Sequence, residues 1–460
     1  MKLKVAKFGG TSLANATQMR KVADIVLADP DRRIVVVSAP GKAHSKDTKV
    51  TDLLIACADK MLAAGSADAE LKAIKSRFAE IHKDLGLPAD VMARISSDMD
   101  LRLRGDVKHR HRFADTMKAG GEDNCAWLFA ALLRSMGADA HYVNPGEAGM
   151  LLSGDYGAAM VLDETYKRLN SLRAKKGIIV FPGFFGATLD GHTVTFPRGG
   201  SDITGSVVAA AVQADLYENF TDVDSVFAAD PKVVRDAVPI TELTYREMRE
   251  LSYAGFSVFH DEAIVPAVRA GIPICIKNTN RPSAPGTLVL PERKHVTGMA
   301  VGIAGRSGFC TIFVSKYMMN REIGFGRRLL QILEEEGISY EHAPSGIDNM
   351  SLVISEGEFN STAEDRVSKR IEKELGAEAS VERGLALIMI VGEGMHYAVG
   401  MAAKATAALA KSSVNIEMMN QGSSEISMMF GVKAEDRESA VRGLYDAFFR
   451  QGNSKGQPLE

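Results

Sequence analysis

Two glycine-rich segments of the sequence each combine a cation with backbone that can approach an anion closely. The first, Lys7-Phe8-Gly9-Gly10-Thr11-Ser12, follows a short apolar run and precedes a predicted helix at 16–28. Glycine N–H groups, the positive end of the helix and the Lys7 ammonium are typical of a phosphate site. The segment matches neither GxxxxGK[ST] nor GxGxxG, which disfavours a P-loop or dinucleotide-binding protein. A tight turn with a surface lysine is the alternative.

The second segment, Arg198-Gly199-Gly200-Ser201-Asp202, opens another apolar helix. A guanidinium can hold a carboxylate through two parallel hydrogen bonds, and Asp202 can orient reacting groups or a metal ion. Asp202 as a plain helix N-cap is the alternative, but it explains neither the arginine nor the paired glycines. The two segments together indicate a nucleoside triphosphate and an acidic co-substrate.

The overall composition excludes several other classes of protein. The chain has 460 residues with 55 basic and 58 acidic side chains, so its net charge is only −3 and no field of one sign favours nucleic acid. Its four cysteines form no CxxC pair, which disfavours a disulfide scaffold or a zinc ribbon. No signal-peptide core or stretch of 18 apolar residues occurs. We expect a cytoplasmic protein with no membrane or nucleic-acid partner.

Residues 1–295 show the alternation of strands and helices that is typical of an α/β domain. Apolar runs predict strands at LKVAKF, RIVVVSA, GIIVFPG, LYENFTD and ICIKN. Apolar residues at three- and four-residue spacing predict helices at 16–28, 51–63, 122–136, 163–174, 203–214 and 244–254. This pattern predicts a sandwich built on a mainly parallel sheet.

A cluster of prolines and glycines at 281–291 ends this pattern, and an internal repeat follows it. Gly337-Ile338-Ser339 corresponds to Ser413-Val414-Asn415 at an offset of 76 residues, which is also the offset from Met350 to Ile426. In the first copy we expect a helix at FGRRLLQILEEEG, strands at 338–342 and 350–355, and a helix near 361–375. Each copy has the ferredoxin-like order βαββαβ, and we predict two domains, at 306–383 and 384–460.

Seven motifs in the expected order make the sequence resemble the aspartokinase family. They are KFGGTS, VSAPGK (37–42), VTDLL (50–54), GGE (120–122), GFFG (183–186), RGGSD and TDVDSVFAADP (221–231). The resemblance implies an amino-acid kinase domain, a three-layer sandwich, followed by two ACT domains. It also implies the substrates ATP and L-aspartate, and Mg²⁺ as cofactor.

The resemblance also implies roles for residues around the acceptor. Lys7 would offset the charge that develops between two anions during phosphoryl transfer, and Asp202 would position the reacting groups. Glu122, expected at a helix start, would bind the ammonium of aspartate, and Arg198 its α-carboxylate. Hydroxyl groups would complete the pocket, and turn or cap positions are the alternative for each: Ser38, Thr51 and Ser201.

For the nucleotide, the resemblance implies contacts by Lys7, Gly9, Gly10, Thr221, Asp222, Phe227, Lys232 and Ser257. Phe227 stands where the family usually has tyrosine, and a phenyl ring can still stack on adenine. Ser257 stands where many members have a lysine that touches ATP, and it supplies no charge. The nearby His260 is interpreted as structural. No residue is assigned as a metal ligand.

The resemblance further implies regulation through the repeat. An amino-acid effector, lysine or threonine or both, would bind at Asn320, Gly324, Ser345 and Asp348, across a homodimer interface formed by the ACT domains. Dimers could pair into tetramers. The strand at 298–305 would belong with the second copy.

The function expected from these residues is ATP-dependent phosphorylation of the β-carboxylate of L-aspartate. This reaction is the first step in making lysine, threonine and methionine. The alternatives are a glutamate or acetylglutamate kinase, and a catalytically silent amino-acid sensor. A fused homoserine dehydrogenase is excluded, because the residues after the kinase domain cannot hold both the repeat and a dinucleotide-binding unit, and no GxGxxG follows.

Overall fold

The computed structural model describes residues 2–197, 199–256, 261–293, 300–422 and 426–450. The chain forms two compact units. The first comprises Met1–Val226, Pro239–Met248 and Ser257–Arg293, and the second comprises Phe227–Val238, Arg249–Phe256 and Lys294–Glu460. Two short segments before residue 295 therefore belong to the second unit, which the sequence did not indicate.

The first unit is built on an eight-stranded sheet of order β3-β4-β2-β1-β7-β9-β10-β8 and a separate antiparallel pair, β5-β6. Among the described residues of the large sheet, only the pairing of β9 with β10 is antiparallel. The strands are β1 (Lys4–Phe8), β2 (Arg32–Val37), β3 (Ala140–Tyr142), β4 (Ile178–Pro182), β5 (Phe185–Ala187), β6 (Thr193–Thr195), β7 (Leu216–Thr221), β8 (Glu242–Thr244), β9 (Ile274–Asn278) and β10 (Thr287–Leu290).

Helices cover both faces of this sheet. They are α1 (Ala16–Leu27), α2 (Val50–Ala64), α3 (Asp68–Leu85), α4 (Ala89–Leu103), α5 (Arg110–Ser135), α6 (Pro145–Ala148), α7 (Glu164–Leu169), α8 (Gly200–Ala211), α9 (Tyr245–Tyr253), whose residues divide between the units, and α10 (Val265–Arg269). Phe8 and Phe220 stack at 4.6 Å between ring centroids and share one core with buried residues of α1–α5. Side chains alternate along a strand, so Lys7 lies on the opposite face, where it meets Asp202 of α8. The predicted mainly parallel α/β sandwich is confirmed.

Two helical regions differ from the sequence prediction. The helix expected at 122–136 begins at Arg110, so Glu122 lies in its middle and the expected helix start at this residue is wrong. Helices α3 and α4, between the predicted helices at 51–63 and 122–136, were not predicted. Buried residues of α5 face all directions, from Phe113 to Leu133, so its apolar positions show no one-sided spacing.

The second unit contains a five-stranded antiparallel sheet of order β12-β11-β13-β15-β14. Its strands are β11 (Gly302–Ser315), β12 (Asn349–Ser355), β13 (Glu378–Val391), β14 (Met418–Gln421) and β15 (Ser427–Lys433), and its helices are α11 (Phe325–Glu335), α12 (Ser361–Arg370), α13 (Met401–Lys411) and α14 (Arg437–Tyr445). The first part of β11 pairs with the last part of β13, from Gly302 with Val391 to Ser307 with Ala386. Strand β13 runs through the predicted boundary between residues 383 and 384.

The 76-residue repeat is visible in the backbone. Gly324 and Gly400 precede α11 and α13 with φ of 79° and 85°, and Gly337 and Ser413 follow these helices with φ of 69° and 55°. The strand expected at 338–342 is wrong, because only an isolated bridge from His342 to Val353 forms there. Each copy therefore keeps its helix boundaries at matching positions.

Candidate active site

Lys7 is a buried residue of a central strand. It is 7 % exposed, and its Nζ lies 2.6 Å from Oδ1 of Asp202. This contact contradicts the alternative that Lys7 is a surface lysine beside a turn. A buried ammonium needs a paired anion, so the strand and the helix that carry the two residues are held in one arrangement.

The glycines after β1 allow two loops to meet. A turn of 3-10 helix, Gly10–Leu13, separates β1 from α1. The N–H of Gly41 donates to the carbonyl of Gly10 at 2.8 Å. A Cβ on Gly41 would lie 2.6 Å from the carbonyl carbon of Gly10, so only glycine fits there. The loop after β2 is thus held against the glycine-rich segment.

Asp202 does not cap its helix. Gly199 occupies the N-cap position of α8 with φ of 78° and Asp202 lies in the first turn, so the plain N-cap alternative is wrong. Its carboxylate accepts hydrogen bonds from Lys7 and from Nδ2 of Asn219, the latter at 2.6 Å. Both donors bind the same oxygen, Oδ1.

Glu122 is a buried carboxyl inside α5. It is 5 % exposed, and its Oε2 has no hydrogen-bond partner among the described residues. Burial raises the pKa of Glu122 to about 8, and Asp123 adds to the rise, whereas the backbone N–H groups of Ala39 and Glu122 oppose it. A cation that reached this carboxyl would favour its ionised form.

A buried ionic network holds this part of α5. Arg102 pairs with Asp98 at 2.7 Å and also with Asp123, the residue after Glu122. The hydroxyl of Tyr142 donates to the same Asp123 carboxylate. Both carboxylate oxygens of Asp123 therefore have partners, whereas the carboxyl of Glu122 keeps an oxygen that can receive a ligand.

One cavity of about 580 Å³ brings most of the acceptor residues together. Eight predicted site residues line it: Lys7, Gly9, Gly10, Ser38, Thr51, Glu122, Ser201 and Asp202. Arg198 lies outside the described residues, although its neighbours Pro197 and Gly199 line the cavity. The predicted residues thus bring a cation, two acidic groups, hydroxyls and glycine backbone to one cavity, which suits a zwitterionic acid beside a phosphate.

The predicted nucleotide residues divide between the two units. Thr221 and Asp222 lie at the end of β7, in the strand next to β1, and the Oγ1 of Thr221 accepts the N–H of Val223 at 3.0 Å. Phe227 and Lys232 belong to the second unit. Ser257 and His260 lie outside the described residues.

Sequence reasoning missed several cavity-lining residues. Lys118 stands one helical turn before Glu122 and pairs with the buried Asp115 at 2.6 Å. Lys49, Asp52 and Phe184 also line the cavity. Residues four apart in a helix lie on the same face. If the sequence had predicted a helix that begins at Arg110, this spacing would have placed Lys118 beside Glu122.

The predicted effector residues surround one connection in the second unit. The N–H of Asn320 donates to the carbonyl of Ile347 at 3.0 Å, and Oδ1 of Asp348 accepts the N–H of Met318 at 2.7 Å. Ser345 forms an isolated bridge with Met350, and Gly324 is the N-cap of α11. The structure therefore brings Asn320 and Asp348 into neighbouring segments.

Two features are absent from the described part of the chain. No group of three or more His, Cys, Asp or Glu side chains there could hold a metal ion. No helix there is long and apolar enough to cross a membrane.

The fold and the cavity define a kinase for small amino acids with an appended ACT domain. The sequence matches the amino acid kinase family over residues 2–278 and an ACT domain over residues 388–448. Within this class, the chain belongs to the aspartokinases. It is 56 % identical over 448 residues to aspartokinase 3 of Bacillus subtilis, covering 97 % of this chain and 99 % of that protein. It is therefore an aspartate kinase.

Solved structures agree with this assignment. The aspartate kinase of Clostridium acetobutylicum matches with a TM-score of 0.85 and 37 % identity, covering 97 % of this chain and 100 % of that one. Aspartokinase III of Escherichia coli in complex with aspartate and ADP matches with a TM-score of 0.73 and 28 % identity, over the same shares of the two chains. The same E. coli enzyme with lysine and aspartate matches with a TM-score of 0.73 and 27 % identity, over 98 % and 100 %.

Proposed function

We propose that this aspartate kinase transfers the γ-phosphoryl group of ATP to the β-carboxylate of L-aspartate, as the first step toward lysine, threonine and methionine. The observation that carries the proposal is the cavity shared by the Lys7–Asp202 pair and the buried Glu122 with its unpartnered oxygen. An oxygen of the β-carboxylate forms a bond to the γ-phosphorus while the bond to the ADP oxygen breaks, which gives 4-phospho-L-aspartate and ADP. The E. coli complex with aspartate and ADP supports this choice of ligands.

The amino-acid end of the substrate is recognised by charge. Glu122 binds the ammonium group, because an unpartnered buried carboxyl is stabilised by a cation. Arg198 binds the α-carboxylate through its fork of donors. The hydroxyls of Ser38, Thr51 and Ser201 supply further hydrogen bonds around the same cavity.

The phosphoryl end is recognised by Lys7 and the glycine backbone. Two anions approach each other in this reaction, and Lys7 offsets the negative charge between them. Gly9 and Gly10 let backbone N–H groups approach the phosphates. Thr221, Asp222, Phe227, Lys232 and Ser257 are proposed to contact the nucleotide.

The residues present fit a magnesium ion that arrives with the nucleotide. Mg²⁺ is commonly held by one or two carboxylates together with substrate phosphates rather than by a dedicated protein cage. Asp202 is the carboxylate of the cavity placed beside Lys7. When bound, the ion would neutralise charge on the phosphates, and Asp202 would be its protein ligand.

A panel of acceptors tests the reaction. ADP release is measured with aspartate, glutamate and N-acetylglutamate. We expect turnover with aspartate alone, because an N-acetylated acid carries no ammonium for Glu122 and a longer side chain places its carboxylate elsewhere. Turnover with glutamate or N-acetylglutamate in place of aspartate would identify one of the alternative kinases, and no turnover with any acceptor would identify a silent sensor.

Regulation is proposed to act through the second unit. Lysine, threonine or both bind near Asn320, Gly324, Ser345 and Asp348, in a homodimer formed through the ACT domains, with tetramers as a further assembly. The E. coli enzyme crystallised with lysine supports an amino-acid effector. Linkage requires that the effector and aspartate weaken each other by the same factor, typically about 5- to 150-fold.

Calorimetric titration of each ligand with and without the other tests this regulation. Light scattering, with and without the effector, tests the assembly. The absence of binding by both lysine and threonine would contradict the regulatory proposal and leave the repeat as a dimerisation scaffold.

A further inference from the structure

Asn219 is a buried polar residue of β7 that the reaction described above does not use. It is 1 % exposed, and it stands directly beside Lys7 in the register of the parallel strands β1 and β7. Its Nδ2 donates to Oδ1 of Asp202 at 2.6 Å. An ionised carboxylate only accepts hydrogen bonds, so the amide must turn its NH₂ group toward Asp202.

This arrangement is costly in one respect. The other amide atom, Oδ1 of Asn219, is buried without a hydrogen-bond partner among the described residues. A buried polar atom without a partner destabilises a fold. The same strand, β7, also carries the large buried side chains Tyr217 and Phe220. The bond to Asp202 is thus the interaction that a leucine or phenylalanine at position 219 would lose.

The two groups that donate hydrogen bonds to Asp202, Lys7 and Asn219, respond differently when the substrates bind. Lys7 is proposed to act on the transferring phosphoryl group, which competes with Asp202 for the ammonium. Asn219 is neutral and fixed in a strand, so its hydrogen bond does not depend on the charge of the ligands. Both bonds end on Oδ1, so Oδ2 takes part in neither of them.

We infer that Asn219 is a positioning residue that keeps the Asp202 carboxylate in its reactive orientation when Lys7 turns to the phosphates. This inference rests on the proposed catalytic role of Asp202. Asn219 acts through Asp202 and need not touch the substrate.

The test is a double-mutant cycle on turnover in the full-length enzyme. Asn219→Leu keeps the same number of side-chain heavy atoms in the same branched arrangement, but it has no hydrogen-bond donor. We expect it to lower kcat about 10-fold or more while the KM for aspartate stays within about 2-fold, since aspartate contacts other residues. In an Asp202→Ala background, measured at high enzyme concentration, Asn219→Leu should cause no further loss.

A control variant separates positioning from general damage to the strand. Glu218 precedes Asn219 on β7, is 2 % exposed and binds Arg32 at 2.6 Å on the other face of the sheet. Glu218→Gln should lower the unfolding midpoint but leave kcat unchanged. A kcat loss equal to that of Asn219→Leu would mean that any disturbance of β7 slows the enzyme, and would overturn the inference.

Other outcomes are equally decisive. An unchanged kcat in Asn219→Leu, or the same loss with and without Asp202, overturns the role of Asn219 and leaves the proposed function intact. Full turnover in Asp202→Ala alone removes Asp202 from the reaction, and the role of Asn219 is overturned with it.

Discussion

Gly121 of α5 packs directly against Ala39 of the loop after β2. A Cβ on Gly121 would lie 2.8 Å from the Cβ of Ala39 and 3.1 Å from Cδ1 of Leu54. Real Cβ atoms do not approach so closely, so the absence of a side chain lets helix and loop meet. This approach places the carboxyl of Glu122 near the backbone N–H of Ala39.

Gly121→Ala should therefore damage both stability and aspartate binding. The added methyl group has no space, and overpacking of this kind costs about 1–3 kcal/mol. We expect a lower unfolding midpoint and a raised KM for aspartate. Gly326→Ala is the matched control, because a Cβ there has only Met350 at 4.0 Å, and alanine in a helix should be neutral or stabilising. Equal behaviour of the two variants would contradict the packing argument.

Aspartate binding should strengthen as the pH rises toward 8. The free enzyme holds a proton on Glu122 below its raised pKa of about 8, and the substrate ammonium needs the ionised form, so binding releases a proton. Calorimetry in buffers of different ionisation enthalpy measures that release. Glu122→Gln should bind aspartate weakly, with this pH dependence and proton release lost. Proton release that persists in Glu122→Gln would assign it to another group.

Lys7→Ala should lower kcat at least ~10²-fold, the usual scale for losing one well-placed electrostatic stabiliser. The variant leaves Asp202 without its cation, so a lower unfolding midpoint is also expected. Lys4→Ala is the control on the same strand. The Nζ of Lys4 pairs with Asp29 at 2.6 Å, and neither residue lines the cavity. Near-normal turnover in Lys7→Ala would remove this residue from the reaction.

The repeat predicts a stabilising substitution at Ser413. Ser413 has φ of 55° where the first copy has Gly337 with φ of 69°, and a residue with a Cβ is strained in this region by about 1–2 kcal/mol. Ser413→Gly should raise the unfolding midpoint, although the greater freedom of glycine in the unfolded chain offsets part of the gain. Gly337→Ser should lower the midpoint. A shift in the same direction for both variants would contradict the equivalence of the two positions.

Local features of the sequence were sufficient to identify the class of protein. The motifs around Lys7 and Asp202 are contiguous, and their glycines and charges can be read without knowing the fold. The repeat was also readable from the sequence, because Gly337-Ile338-Ser339 and Ser413-Val414-Asn415 correspond at an offset of 76 residues. The match to the aspartokinases confirms what these local patterns indicated.

Only the tertiary structure decided how these residues meet. Glu122 was misplaced at a helix start because α5 is buried on all sides and gives no one-sided apolar pattern. No local sequence pattern pointed to Asn219. Its role depends on the register that places it beside Lys7, and on helix α8, which brings Asp202 to the face of the sheet that carries both residues. Hydrophobic spacing reports which face of an element is buried. The pairing of parallel strands and the burial of charge are set by contacts between residues distant in the chain, which no local pattern contains.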